Sequence, residues 1–131
     1  VFYAGDIVMP LSRLPSPPYY AVIFSSIRTD GDSAAYGAKA AEMSRLAAQQ
    51  DGYLGEDSTE RDSEGMGITV SYWRDEAAIK AWKLQLDHTA ARNMGREKWY
   101  RSYTLRVAKI ERAYDFDRPD ADGDAVSRNQ D

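Results

Sequence analysis

The side chains of this sequence best suited to chemistry are its single histidine, its three tryptophans and a set of tyrosines around them. They crowd one stretch: Tyr72-Trp73, then Trp82, His88 and Trp99-Tyr100. A histidine can exchange a proton near neutral pH, which suits a general acid or base. Indole and phenol rings offer an apolar body with one polar handle, which suits an aromatic ligand. His88 is therefore the candidate catalytic residue. Tyr72, Trp73, Trp99 and Tyr100 are candidate substrate-binding residues, three of them because element ends are where pocket mouths are built. Arg106 joins them, alternating with apolar neighbours so that it faces either a pocket or a subunit seam. Each has a plainer reading. His88 lies about 120° around a helix from Trp82, on the face of Ala77, Ala81, Leu84 and Ala91, where it is equally a hydrogen-bonded flank residue. Trp82 reads as core, and Arg106 equally as one half of a rim salt bridge.

Stronger motifs are absent. Gly65-Met66-Gly67 lacks the third glycine and the strand-turn-helix setting of a dinucleotide site. There is no phosphate loop, His-Glu-x-x-His pair or nucleophile elbow. With one histidine and no cysteine, no metal site is expected. Asp120-Ala121-Asp122-Gly123-Asp124 has the look of a calcium loop. Placing Gly123 at the turn puts Arg118 and Asn129 at the first and last ligand positions, where carboxylates are needed. No cofactor is expected.

The elements that must position these residues follow from periodicity. The 131 residues suit one domain. Pro10, Pro15, Pro17 and Pro18 make residues 1–18 an N-terminal arm. The apolar run 19–26 reads as a buried strand. Tyr36, Ala40, Met43 and Ala47 recur at helical spacing, predicting a helix over 34–50 closed by Asp51-Gly52. Residues 53–61 form a charged edge strand, 62–65 a turn, and 67–73 a strand. Asp75 caps a helix to about residue 93 with the stripe Ile79, Trp82, Leu86 and Ala90. Gly95 breaks it, 96–100 add one helical turn, and 103–110 form the last strand. Residues 117–131 read as an acidic, disordered tail. The order β-α-β-β-α-β is ferredoxin-like, an α+β fold with a four-stranded antiparallel sheet and both helices on one face. Residues 19–116 are the expected folded domain. The opposite sheet face has no cover within the chain, and its apolar residues predict a homodimer.

Charge and composition narrow the partners. A net charge of −4 argues against nucleic acid. No apolar run is long enough to span a bilayer, so no membrane partner is expected. The lack of cysteine fits a reducing compartment, and no basic stretch precedes Val1-Phe2-Tyr3, so a cytoplasmic location is expected.

Several runs resemble the antibiotic-biosynthesis monooxygenase family. They are Tyr20-Ala21-Val22-Ile23-Phe24-Ser25-Ser26, the join from Ala47 to Gly55, and Ile68-Thr69-Val70-Ser71-Tyr72-Trp73. Ala78-Ile79-Lys80-Ala81-Trp82 followed by His88, and Gly95-Arg96-Glu97-Lys98-Trp99-Tyr100, are similar too. The resemblance covers about residues 19–116, and the chain looks like an uncharacterised branch. It implies a dimeric α/β barrel of two ferredoxin-like sheets. It also implies either cofactor-independent oxidation of an aromatic or polyphenolic small molecule, or a non-catalytic ligand-binding or stress-associated dimer. Haem degradation, another family activity, is disfavoured. His88 falls only six residues after Trp82, whereas the family's haem-ligand spacing lands on Arg92, and the first strand carries no asparagine.

Overall fold

The computed structural model describes residues 3–4, 7–8, 11–29, 33–59, 65–87 and 99–119. Two short strands, β1 (Tyr3–Ala4) and β2 (Ile7–Val8), pair with each other. The main body follows as β3 (Tyr19–Arg28), α1 (Ser33–Ala48), β4 (Tyr53–Ser58), β5 (Met66–Trp73), α2 (Glu76–Asp87) and β6 (Tyr100–Ile110). The four long strands form an open antiparallel sheet in the order β4-β5-β3-β6. This is the ferredoxin-like arrangement the element order predicts.

Strand alternation sorts the side chains onto two faces. Tyr20, Val22, Phe24, Ser26 and Arg28 share the helix side with their register partners Trp73, Ser71, Leu105 and Val107. Trp73 anchors that side at 0% exposure, packed with Ala47 of α1 and Ala78 of α2. Val22, Tyr53, Ile79 and Trp82 close around it. Its ring stacks on Trp82 at 6.2 Å and takes Tyr53 edge-on at 5.6 Å. Its Nε1 donates to Ser71 Oγ at 2.9 Å, so the indole is buried with its donor paired.

The ends of the helices are set locally. Asp75 Oδ1 accepts from the Ala78 N–H at 2.9 Å, as the sequence anticipates for a cap. That bond, with Arg74 next, lowers the Asp75 carboxyl pKa. Arg74 also forks onto both oxygens of Asp51 at 3.2 and 3.1 Å, joining the end of β5 to the turn before β4. Between them sits Gly52 at φ 90°, whose missing Cβ would fall 2.6 Å from the Cβ of Ala78.

Most element bounds differ from the sequence expectation by a few residues, and two of the differences bear on the site. β3 runs past Ser26 to Arg28, because Ser26 and Arg28 are buried between two paired neighbours despite their polarity. Tyr100 belongs to β6 rather than to an extra helical turn, and Thr29 N–H donates to the Trp99 carbonyl at 2.9 Å. The face away from the helices is also not bare along its whole length. Ser12 Oγ donates to the Glu56 carbonyl at 2.7 Å and accepts from the Glu56 N–H at 3.0 Å, occupying the free edge of β4. Ser12 N–H donates to Asp57 Oδ1, and Tyr72 Oη donates to Asp57 Oδ2. Gly55 permits this approach, since a Cβ there would meet Ser12 Oγ at 3.0 Å. No helix among the described residues is long and apolar enough to cross a membrane.

Gly52→Ala forces a left-handed residue and overpacks Ala78 at once. It is expected to lower the unfolding free energy by about 1–3 kcal/mol in urea titration.

Candidate functional site

A second aromatic group occupies the other half of the helix-covered face. Phe24 and Arg28 reach it from β3, Tyr36 from α1, Tyr100 and Tyr103 from β6, and Trp99 from the residue before β6. Tyr36 is the hub. The Trp99 ring meets it edge-on at 5.7 Å and Tyr100 at 5.8 Å. The Arg28 guanidinium carbon lies 3.5 Å from its ring centroid, a cation over a π face. Tyr100 Oη donates to Tyr36 Oη at 3.1 Å. Burial raises the Tyr100 pKa, helped by the nearby Tyr36 hydroxyl, so Tyr100 is a neutral donor at physiological pH. Phe24 touches both Tyr100 and Tyr103 at 5.4 Å.

This group has two features the Trp73 cluster lacks. Trp99 is only 4% exposed, yet among the described residues its indole N–H has no hydrogen-bond partner. A buried orphan donor costs about 1–3 kcal/mol unless something arrives to accept from it. The same sheet face is also uncovered further along β6, beyond Phe24. Leu105 and Val107, on the same face as Phe24 and Val22, are 50% and 52% exposed. An aromatic wall thus adjoins an apolar floor, with the Trp99 N–H and the Tyr36 hydroxyl as polar groups. That combination suits a flat organic molecule carrying an acceptor oxygen. A separate hollow of about 570 Å³ is lined by Lys109, Ile110, Glu111 and Arg112. Four consecutive residues at a strand end cannot enclose a ligand in the same way.

The residues singled out by the sequence are divided by the fold. Trp99 and Tyr100 stand together in the cleft. Trp73 is in the core beside Trp82. Tyr72 points to the opposite sheet face, with its ring edge-on to Tyr19 at 5.9 Å and its hydroxyl on Asp57. Arg106, paired in register with Ile23, is exposed on that same opposite face. His88 lies outside the described residues. Ala77, Ala81 and Leu84, whose helix face the sequence assigns to it, are exposed. Sequence reasoning missed Tyr36 and Arg28. Arg28 follows from extending the Val22, Phe24, Ser26 alternation by one step. Tyr36 looks like any member of a core stripe.

A four-stranded antiparallel sheet with two helices and an aromatic cluster on its helix-covered face defines a ferredoxin-like module. The chain belongs to the antibiotic biosynthesis monooxygenase family, whose sequence profile matches residues 18–94. It is 51% identical over 102 residues to the uncharacterized protein YqjZ of Bacillus subtilis, covering 78% of this chain and 88% of that one. Among solved structures it is similar to SnoaB, a cofactor-independent oxygenase from Streptomyces nogalater. There the TM-score is 0.62 at 14% identity, over 74% of this chain and 97% of SnoaB. It is also similar to Rv0793 of Mycobacterium tuberculosis, with a TM-score of 0.62 at 20% identity over 72% and 98% of the two chains. At these identities the structures share the fold.

The two buried indoles should respond differently to loss of their N–H. Trp73→Phe breaks a bond to Ser71, whereas Trp99→Phe removes an orphan donor. In paired urea titrations Trp99→Phe is expected to be less destabilising than Trp73→Phe by about 1–3 kcal/mol.

Proposed function

We propose that this protein is a cofactor-independent oxygenase that binds an electron-rich aromatic or polyphenolic molecule in the cleft of Tyr36, Trp99 and Tyr100. The observation that carries this reading is the buried Trp99 N–H, which has no partner among the described residues, at one end of an aromatic wall that runs through Phe24 to exposed apolar residues of β6. Family membership and the fold shared with an oxygenase support the reaction class. The substrate packs against Phe24 and Tyr100, with its oxygen accepting from Trp99 and Tyr36. His88, the chain's one imidazole, takes the phenolic proton. The resulting phenolate gives one electron to dioxygen, and the phenoxyl radical and superoxide recombine at the para ring carbon. Loss of water from the hydroperoxide leaves a quinone. A phenol plus one dioxygen becomes a quinone plus one water, so no external reductant is consumed. The protein contributes proton removal, orientation and exclusion of water.

The reading is tested by oxygen uptake with a panel of polyphenols. The expected result is stoichiometric consumption of oxygen with a quinone product. Trp99→Phe should weaken binding, and His88→Ala should lower turnover by about 100-fold or more. Full turnover by His88→Ala removes the base role. Tight binding with no oxygen uptake across the panel favours the non-catalytic reading, a ligand-binding dimer.

The assembly we propose is a homodimer through the sheet face opposite the helices. Ile68 and Met66 are exposed there, and Ile23, Ile27 and Val70 are half-buried beside them. Such a patch is a natural two-fold seam, and Arg106 belongs to it rather than to the cleft. Light scattering should return twice the chain mass, and Ile68→Asp should shift the protein toward monomer.

A further inference from the structure

Oxygen chemistry in the cleft would release occasional radicals, and the chain has no cysteine to intercept them. The cleft does hold three tyrosines in sequence. Tyr36 and Tyr100 are joined by a hydroxyl–hydroxyl bond of 3.1 Å. The Tyr100 ring lies 5.7 Å from the ring of Tyr103, and Phe24 contacts both. Trp99, buried and edge-on to Tyr36, marks one end, and Tyr103 lies half-buried on the outermost strand.

We infer that Tyr36, Tyr100 and Tyr103 form a relay that carries an oxidising equivalent out of the cleft to the β6 edge. The inference rests on the oxygenase reading for the source of the radical, but the relay itself can be assayed without substrate. The oxidant is an organic peroxyl radical. It abstracts the hydroxyl hydrogen of Tyr36, giving a hydroperoxide and a Tyr36 phenoxyl radical. That hydrogen is available because the Tyr36 oxygen already accepts from Tyr100, so its own hydrogen is directed elsewhere. The Arg28 cation over the Tyr36 ring disfavours a radical cation there, so electron and proton leave together. Tyr100 then passes its hydrogen atom along the existing bond, which restores Tyr36 and leaves the radical on Tyr100. Tyr103 next gives up one electron across the ring contact and its hydroxyl proton, and Tyr100 takes up one electron and one proton, so Tyr100 is restored and the radical rests on Tyr103. A small-molecule thiol finally gives a hydrogen atom to the Tyr103 radical and becomes a thiyl radical.

The test exposes the full-length protein, without thiol, to peroxyl radicals from a water-soluble azo initiator in air. Oxidised tyrosines are then located by peptide mass spectrometry. In the unsubstituted chain oxidation is expected to accumulate at Tyr103 while Tyr36 and Trp99 are spared. In Tyr100→Phe the oxidation of Tyr103 should fall severalfold and that of Tyr36 and Trp99 should rise. Tyr36→Phe provides a second break in the path and should likewise spare Tyr103. An unchanged distribution in both variants means that Tyr103 is attacked directly, which overturns the relay. A chain that passes this test but consumes no oxygen with any polyphenol retains the relay and loses the oxygenase reading.

Discussion

The fold depends on β3 being paired along both edges. Of its ten residues, the eight from Tyr20 to Ile27 pair with β5 on one side and β6 on the other, so their backbone groups are satisfied without reference to side-chain polarity. Their side chains are then free to serve two faces. The even-numbered set supplies Val22 to the Trp73 core and Phe24 and Arg28 to the aromatic cleft. The odd-numbered set supplies Tyr19, Ala21, Ile23 and Ile27 to the opposite face. Core, cleft and proposed seam are therefore held in fixed relation by a single strand. A one-residue slip of that strand would exchange their contents.

The two edges of the sheet are managed differently. β4 is short, charged and carries a register shift between Tyr53 and Gly55. Its free backbone groups at Glu56 are taken by one serine hydroxyl from before β3. Glu56 also accepts from Ser44 Oγ of α1 through its carboxylate, so the same residue ties the edge to the helix layer. β6 is the outer strand on the other side, eleven residues long, with apolar side chains exposed toward the helix side. The edge beside the core is occupied at Glu56, whereas the outer strand leaves apolar side chains exposed on the half where the proposed site lies.

The order of elements was legible in the sequence because hydrophobic period changes cleanly between strand and helix. The ends were not, since a polar residue such as Arg28 reads as loop until its burial is seen. The contact between Ser12 and Glu56 spans 44 positions and leaves no local trace. The grouping of Tyr72 with Trp73 was discouraged by the sequence itself. Adjacent residues of a strand point to opposite faces, and here one joins the core while the other bonds Asp57 on the far side. Aromatic density along the chain carries no facing information. Tyr36 shows the converse, since a residue remote in sequence becomes the hub only when α1 is laid over the β3–β6 half of the sheet.

What separates site from core is the state of the donor rather than the type of residue. Trp73 and Trp99 are both tryptophans, both almost wholly buried, and both edge-on to a tyrosine. Burial and packing alone would class them together. Trp73 spends its N–H on Ser71, two residues away on its own strand, so the cluster around it is complete and stable as it stands. Trp99 keeps a buried N–H without a partner among the described residues. Folding would favour phenylalanine at such a position, because the same ring contacts could be made without the desolvation cost. An indole retained there is accounted for by an acceptor outside the described residues, the place the proposed ligand would take.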